Sequence, residues 1–162
     1  WFTFLATVAL GVSAGASLAE ASLLVPFWKS LSPEAFYSWY QANSARLVAF
    51  YSPLQIGSSI LALTSFVFLS TVRNRNRWIM LAATVFAFAV LGNFFLYFKD
   101  AEAAFRNRSI PAEQMSAVLR TWGNWQWATI GLQMCAFGCA AFALQVKPEI
   151  RSLNNQTPRV GI

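Results

Sequence analysis

The chain has 162 residues, of which 57% are hydrophobic and only 11% charged. An ordinary soluble domain carries about 25% charged residues, so a chain this poor in charge cannot cover a water-facing surface. The net charge of +6 is spread over loops and termini and is not massed on one polar face, which excludes the usual pattern of a nucleic-acid binder and suits basic anchors among lipid headgroups.

Histidine is absent. That removes histidine-ligated haem, the usual copper sites and histidine-based catalytic arrangements. No metal site and no cofactor is expected. The bilayer is the expected partner, with other membrane subunits or a small lipophile as further partners and no nucleic acid.

One spanning helix needs roughly 20 apolar residues, and the chain divides into four such runs. The first covers about residues 2–25 and closes on Pro26, Phe27, Trp28 and Lys29, an aromatic and basic anchor. It is long for a signal-peptide core and reads as a span. Ser32, Pro33 and Glu34 then form a helix start, with Ser32 as cap, Pro33 in the first turn and Glu34 at the positive end of the dipole. That helix carries Phe36, Trp39, Tyr40 and Asn43 at three- and four-residue spacings, a face suited to the membrane interface.

The second span covers about residues 47–72, with Pro53 in its first turns as an expected kink. Arg73, Arg75 and Arg77 form the densest basic cluster, and the third span follows over about 78–98. Ser109, Pro111 and Glu113 mark another helix start that runs on into a fourth span, about 122–146. The expected fold is all-α: a single four-transmembrane-helix bundle over residues 1–146, with short interfacial helices in the two non-cytoplasmic connections and a polar tail over 147–162. Lysines and arginines tie at six on each side. The dense arginine cluster lies close to helix ends, so its side and both termini are expected in the cytoplasm, in a bacterial inner membrane.

Polar residues inside a bilayer are expensive. Glu20 is the acid inside a predicted span, about 8 Å from the outer end of the first helix at 1.5 Å per residue. Arg46 and Lys99 lie at the same level and are candidate partners for it. Tyr51 and Gln55 follow on the second helix, Asn93 and Tyr97 on the third, and Asn124, Trp125, Gln126 and Trp127 on the fourth. This rim reads in two ways: as a pocket for a small amphipathic molecule, or as a pairing network with a tryptophan belt, the commoner use of such residues. Gly11, Gly15 and Ala19 on the first helix, and Gly131, Cys135 and Cys139 on the fourth, recur at four-residue steps as expected packing ridges. Gly15→Leu is therefore expected to disrupt assembly.

The segments 19–28 (AEASLLVPFW), 51–54 (YSPL), 93–98 (NFFLYF) and above all 122–127 (WGNWQW) resemble a family of small four-span membrane proteins labelled anthrone oxygenase-like. The likeness covers about residues 11–144. Many relatives carry a histidine where this chain has Gln126 and an arginine where it has Thr129. The resemblance implies the four-helix fold and, through the fungal members, oxidation of anthrones without a metal. Asn124, Trp125 and Trp127 carry over as motif positions, with Glu20 beside them. Two functions follow as expectations: an accessory subunit or binder of a small lipophile (quinone, pigment or lipid) without a recognisable catalytic centre, or a cofactor-independent oxygenase acting on a lipophilic aromatic.

Overall fold

A computed structural model describes residues 1–146; the expected polar tail, 147–162, lies outside the described residues. The described chain forms four long helices: α1 (Phe2–Ser30), α2 (Pro33–Thr71), α3 (Arg77–Arg106) and α4 (Ala112–Gln145). Each is long and apolar enough to cross a membrane. Large apolar side chains such as Leu5, Val12, Ile60, Val67, Val85 and Phe142 stand on the outside, a surface that lipid covers and water does not.

Short connections make sequence neighbours antiparallel. They close into a ring in which α1 and α3 each pack against both α2 and α4. Ser32 caps α2 as its sequence predicts, its hydroxyl accepting from the Ala35 N–H at 3.3 Å. The helix it starts does not stop at the interface, because nothing from Pro33 to Thr71 breaks it and Pro53 is absorbed inside. The expected interfacial helices are thus the extended ends of the long helices. Their aromatic face is core: Phe36 and Tyr40 are buried against Trp28 of α1 and Phe105 of α3. Ser109 is no cap for α4; its hydroxyl turns back to the Ala104 carbonyl at the end of α3.

The arginine-rich turn between α2 and α3 has its own lock. Arg73 takes a left-handed φ of 51°, and the Asn74 N–H reaches back to the Leu69 carbonyl, a bonding pattern that ends helices. Asn76 is buried there, and its Nδ2 donates to the carbonyls of Ala143 and Val146 at 2.9 and 2.8 Å. One amide thereby satisfies two of the carbonyls left over at the end of α4.

Two packed regions divide the bundle. Near the arginine turn the core is Ala6, Ala62, Ala83, Ala87, Ala136, Ala140 and Ala143 with Leu10 and Met80. Toward the other end it is aromatic: Trp28, Phe36, Tyr37, Tyr40, Phe98, Phe105 and Trp122.

Most of the proposed packing ridges do not face this core, Cys139 being the member that packs against it. Gly15, Ala19, Gly131 and Cys135 point outward, Cys139 is half-buried, and a methyl group built on Gly15 or Gly131 meets nothing within 4 Å. Gly11 alone of the glycines in these ridges sits tightly, its missing methyl 3.0 Å from the Phe137 ring. The inward stripe of α1 is instead Ala6, Leu10, Ser13, Ala14 and Ser17, one position round from the glycines. Small residues suit either face of a membrane helix, because lipid and protein are both apolar.

Candidate functional site

Between the two regions lies a cavity of about 280 Å³. Its lining comes from all four helices. From α1 come Glu20 and Trp28; from α4, Trp122, Gln126 and Thr129. The α2 wall is Tyr40, Leu47, Val48, Tyr51, Ser52 and Gln55. The α3 wall is Val90, Phe94, Phe98, Glu102 and Arg106, five residues at uniform four-residue steps and so on one helix face.

Both helices that lie diagonally across the chamber widen beside it. In α1 a π turn runs Glu20–Leu24, with the Val25 N–H reaching five residues back to the Glu20 carbonyl. In α3 a π turn runs Phe94–Phe98, with Lys99 N–H reaching the Phe94 carbonyl in the same way. A π turn spends one extra residue to re-aim side chains and is common at functional sites. Here one begins at the chamber's acid and the other at its wall residue Phe94.

Glu20 is 9% exposed. Gln126, Tyr51 and Trp122 are the side chains whose polar groups bear on its carboxyl. Tyr51 also donates a long hydrogen bond, 3.5 Å, to the Ala16 carbonyl one turn below Glu20. Arg46 and Lys99, the cations expected to pair with Glu20, are exposed and line no part of the cavity. Their long stems let the charges reach headgroup level from the outside of the bundle. Among the described residues the ion pair that does form is Arg106 with Glu102, 3.1 Å and one helical turn apart at the rim of the chamber.

The remaining candidates separate by azimuth. Tyr51, Gln55 and Gln126 line the chamber with Glu20. Asn93 lies buried behind it and donates from Nδ2 to Thr129 Oγ1 at 3.3 Å, bracing α3 against α4. Tyr97 and Trp125 stack on each other at 5.4 Å and 8°, outside the lining. Asn124 and Trp127 face outward. Trp28, Tyr40, Glu102, Arg106, Trp122 and Thr129 add further polar groups to the lining but were absent from the expected set. The four-residue rhythm of the α3 wall was a usable signal, hidden because Glu102 and Arg106 lie beyond the expected end of the third span near residue 98.

The chamber is chemically incomplete by itself. Trp28 Nε1 and Trp122 Nε1 are buried without a hydrogen-bond partner, and an indole N–H can only donate. A buried polar group without a partner costs roughly 1–3 kcal/mol. Beneath the chamber, Gln55 and Val90 also line a void of about 10 Å³ with Ser13, Ser58, Ser59 and Gln133. Gln133 donates to Ser13 Oγ at 3.2 Å while its Oε1 has no partner. Among the described residues no cluster of His, Cys, Asp and Glu has the arrangement of a metal site.

No family model, curated protein or solved structure matches the chain.

Proposed function

We propose that the protein is a membrane-embedded binder of a small lipophilic molecule, a quinone, pigment or lipid, and that Glu20, Gln126, Tyr51 and Trp122 hold its polar end. The observation that carries this reading is the buried Trp122 N–H, which bears on the Glu20 carboxyl across the same cavity without closing a hydrogen bond of good geometry to it or to any other group. A network serving only to fix helix register would close its hydrogen bonds internally. The membrane is a bacterial inner membrane, with both termini and the arginine turn on the cytoplasmic side, so the chamber lies toward the opposite leaflet.

A second reading, a cofactor-independent oxygenase of the anthrone oxygenase-like kind, draws on one further observation. Gln126 and Thr129, the positions at which the resembling family often carries histidine and arginine, both line the chamber. In that reading Glu20 takes the proton from an acidic substrate carbon and dioxygen accepts the electrons.

The test is mass spectrometry of the protein gently extracted from its native membrane, beside Glu20→Gln. A stoichiometric small lipophile in the natural chain that is lost from the variant supports binding. Turnover of an anthrone that vanishes in the variant moves the assignment to the oxygenase. A stoichiometric protein partner with an empty chamber makes the chain an accessory subunit and sinks both.

A further inference from the structure

The chamber is closed on three sides. Its α1 and α4 wall is sealed, with Glu20, Trp28, Trp122, Gln126 and Thr129 all 9% exposed or less. Phe36, Tyr40 and Phe105, exposed by 3% or less, roof it together with Trp28 and Trp122. The alanine region closes it below.

The fourth side differs. α2 packs on α3 along Arg77–Asn93 and again along Lys99–Arg106, but scarcely touches it along the π turn Phe94–Phe98. At that gap the lining residues are partly or fully exposed: Leu47, Tyr51, Ser52 and Phe94 are half-buried and Val48 is 42% exposed. Phe50 and Phe95 stand bare beside it, next to Tyr51 and Phe94 whose rings they touch, so the opening gives onto lipid. The Arg106–Glu102 pair sits on its outer rim, where a guanidinium belongs at headgroup level.

Resting on the binding reading above, we infer that the chamber is a head-group pocket with a lateral window between α2 and α3, and that its ligand is a tailed amphiphile. The ligand's compact head, bearing an acceptor oxygen, enters sideways from the bilayer to meet Trp122 Nε1, and its hydrocarbon tail remains outside against Val48, Phe94 and Phe95. The volume agrees with this. At about 280 Å³ the chamber lies at the bottom of the roughly 300–1,000 Å³ range of small-molecule pockets, room for a compact head and not for a head and a long hydrocarbon tail together. The window coincides with the π turn of α3, the stretch along which α2 and α3 pack least.

The experiment uses the protein in phosphatidylcholine vesicles and a 1,4-naphthoquinone bearing an isoprenoid tail with a diazirine on its first unit. After illumination, cross-linked residues are mapped by mass spectrometry, with tail-free 2-methyl-1,4-naphthoquinone as competitor. Tryptophan quenching by the tail-free compound, in the natural chain and in Trp122→Phe, reports head binding separately. The expected result is competed labelling of Val48, Ser52, Phe94 and Phe95, about tenfold above the outward residues of α1 and α4. Val48→Trp should reduce that labelling about tenfold while an unchanged unfolding temperature shows the bundle intact. Should Val48→Trp fail to fold, the labelling map of the natural chain decides alone. Quenching that depends on Trp122 but labelling spread evenly over the four helices overturns the window and leaves the binding reading standing. No quenching and no competed labelling overturns both.

Discussion

The alanine region and the aromatic region solve the same packing problem in opposite ways. Near the arginine turn, helices meet over seven alanines whose exposure is 4% or less, and the backbones approach closely enough to leave only a void of about 10 Å³ between there and the chamber. At the other end, helices are held apart by rings such as Phe98 and Trp122, 4.7 Å between centroids, and Phe36 and Phe105 at 4.9 Å. Spacing helices with aromatics leaves hollows that small residues do not. In a bilayer, where apolar burial gives little drive to association, close contact and hydrogen bonds supply most of the stability. The alanine region therefore anchors the fold, and the aromatic region is free to carry a cavity lined by an acid.

Substitutions can test this division directly. The largest effect is expected from Ala140→Leu, at a fully buried contact. Overpacking should destabilise the bundle by about 1–3 kcal/mol, seen as a fall in thermal unfolding temperature in detergent. Equal sensitivity at outward-facing Ala19 would break the comparison. Asn76→Ala comes next: the loss of two hydrogen bonds to the end of α4 should remove about 1–2 kcal/mol. Hydrogen exchange should rise first at the last turn of α4. The smallest effect is expected from Gly15→Leu, which points into open space and should change stability by no more than about 0.5 kcal/mol. A large loss there would restore the glycine ridge as a contact surface, used by a second protein.

That last substitution also measures what the sequence could and could not disclose. The four long apolar helices were legible from run length alone, because a bilayer demands about 20 apolar residues per crossing. The Ser32 cap was legible because its chemistry is local. The membrane level of Glu20, Tyr51, Gln55 and Gln126 followed from counting residues. Azimuth did not. A soluble helix announces its buried face by contrast with a polar one, but both faces of these helices are apolar. The Gly11, Gly15, Ala19 stripe and the Ser13, Ala14, Ser17 stripe therefore looked equally fit to face inward. The same ambiguity placed Arg46 and Lys99 beside Glu20 when they belong outside. The chamber's α3 wall needed a different piece of information, that the helix continues to Arg106 instead of ending near Phe98.

The two π turns, read as chain-length features, have a consequence of their own. Each is in effect a single-residue insertion absorbed as a bulge, so the helix on either side keeps its rotational phase. Deleting the outward Leu23 or Leu96 would iron a bulge flat while leaving the flanking segments aligned as before. The hollow is thus separable from the scaffold: a bundle of this kind can gain or lose its chamber by small insertions and deletions, without redesigning a helix interface.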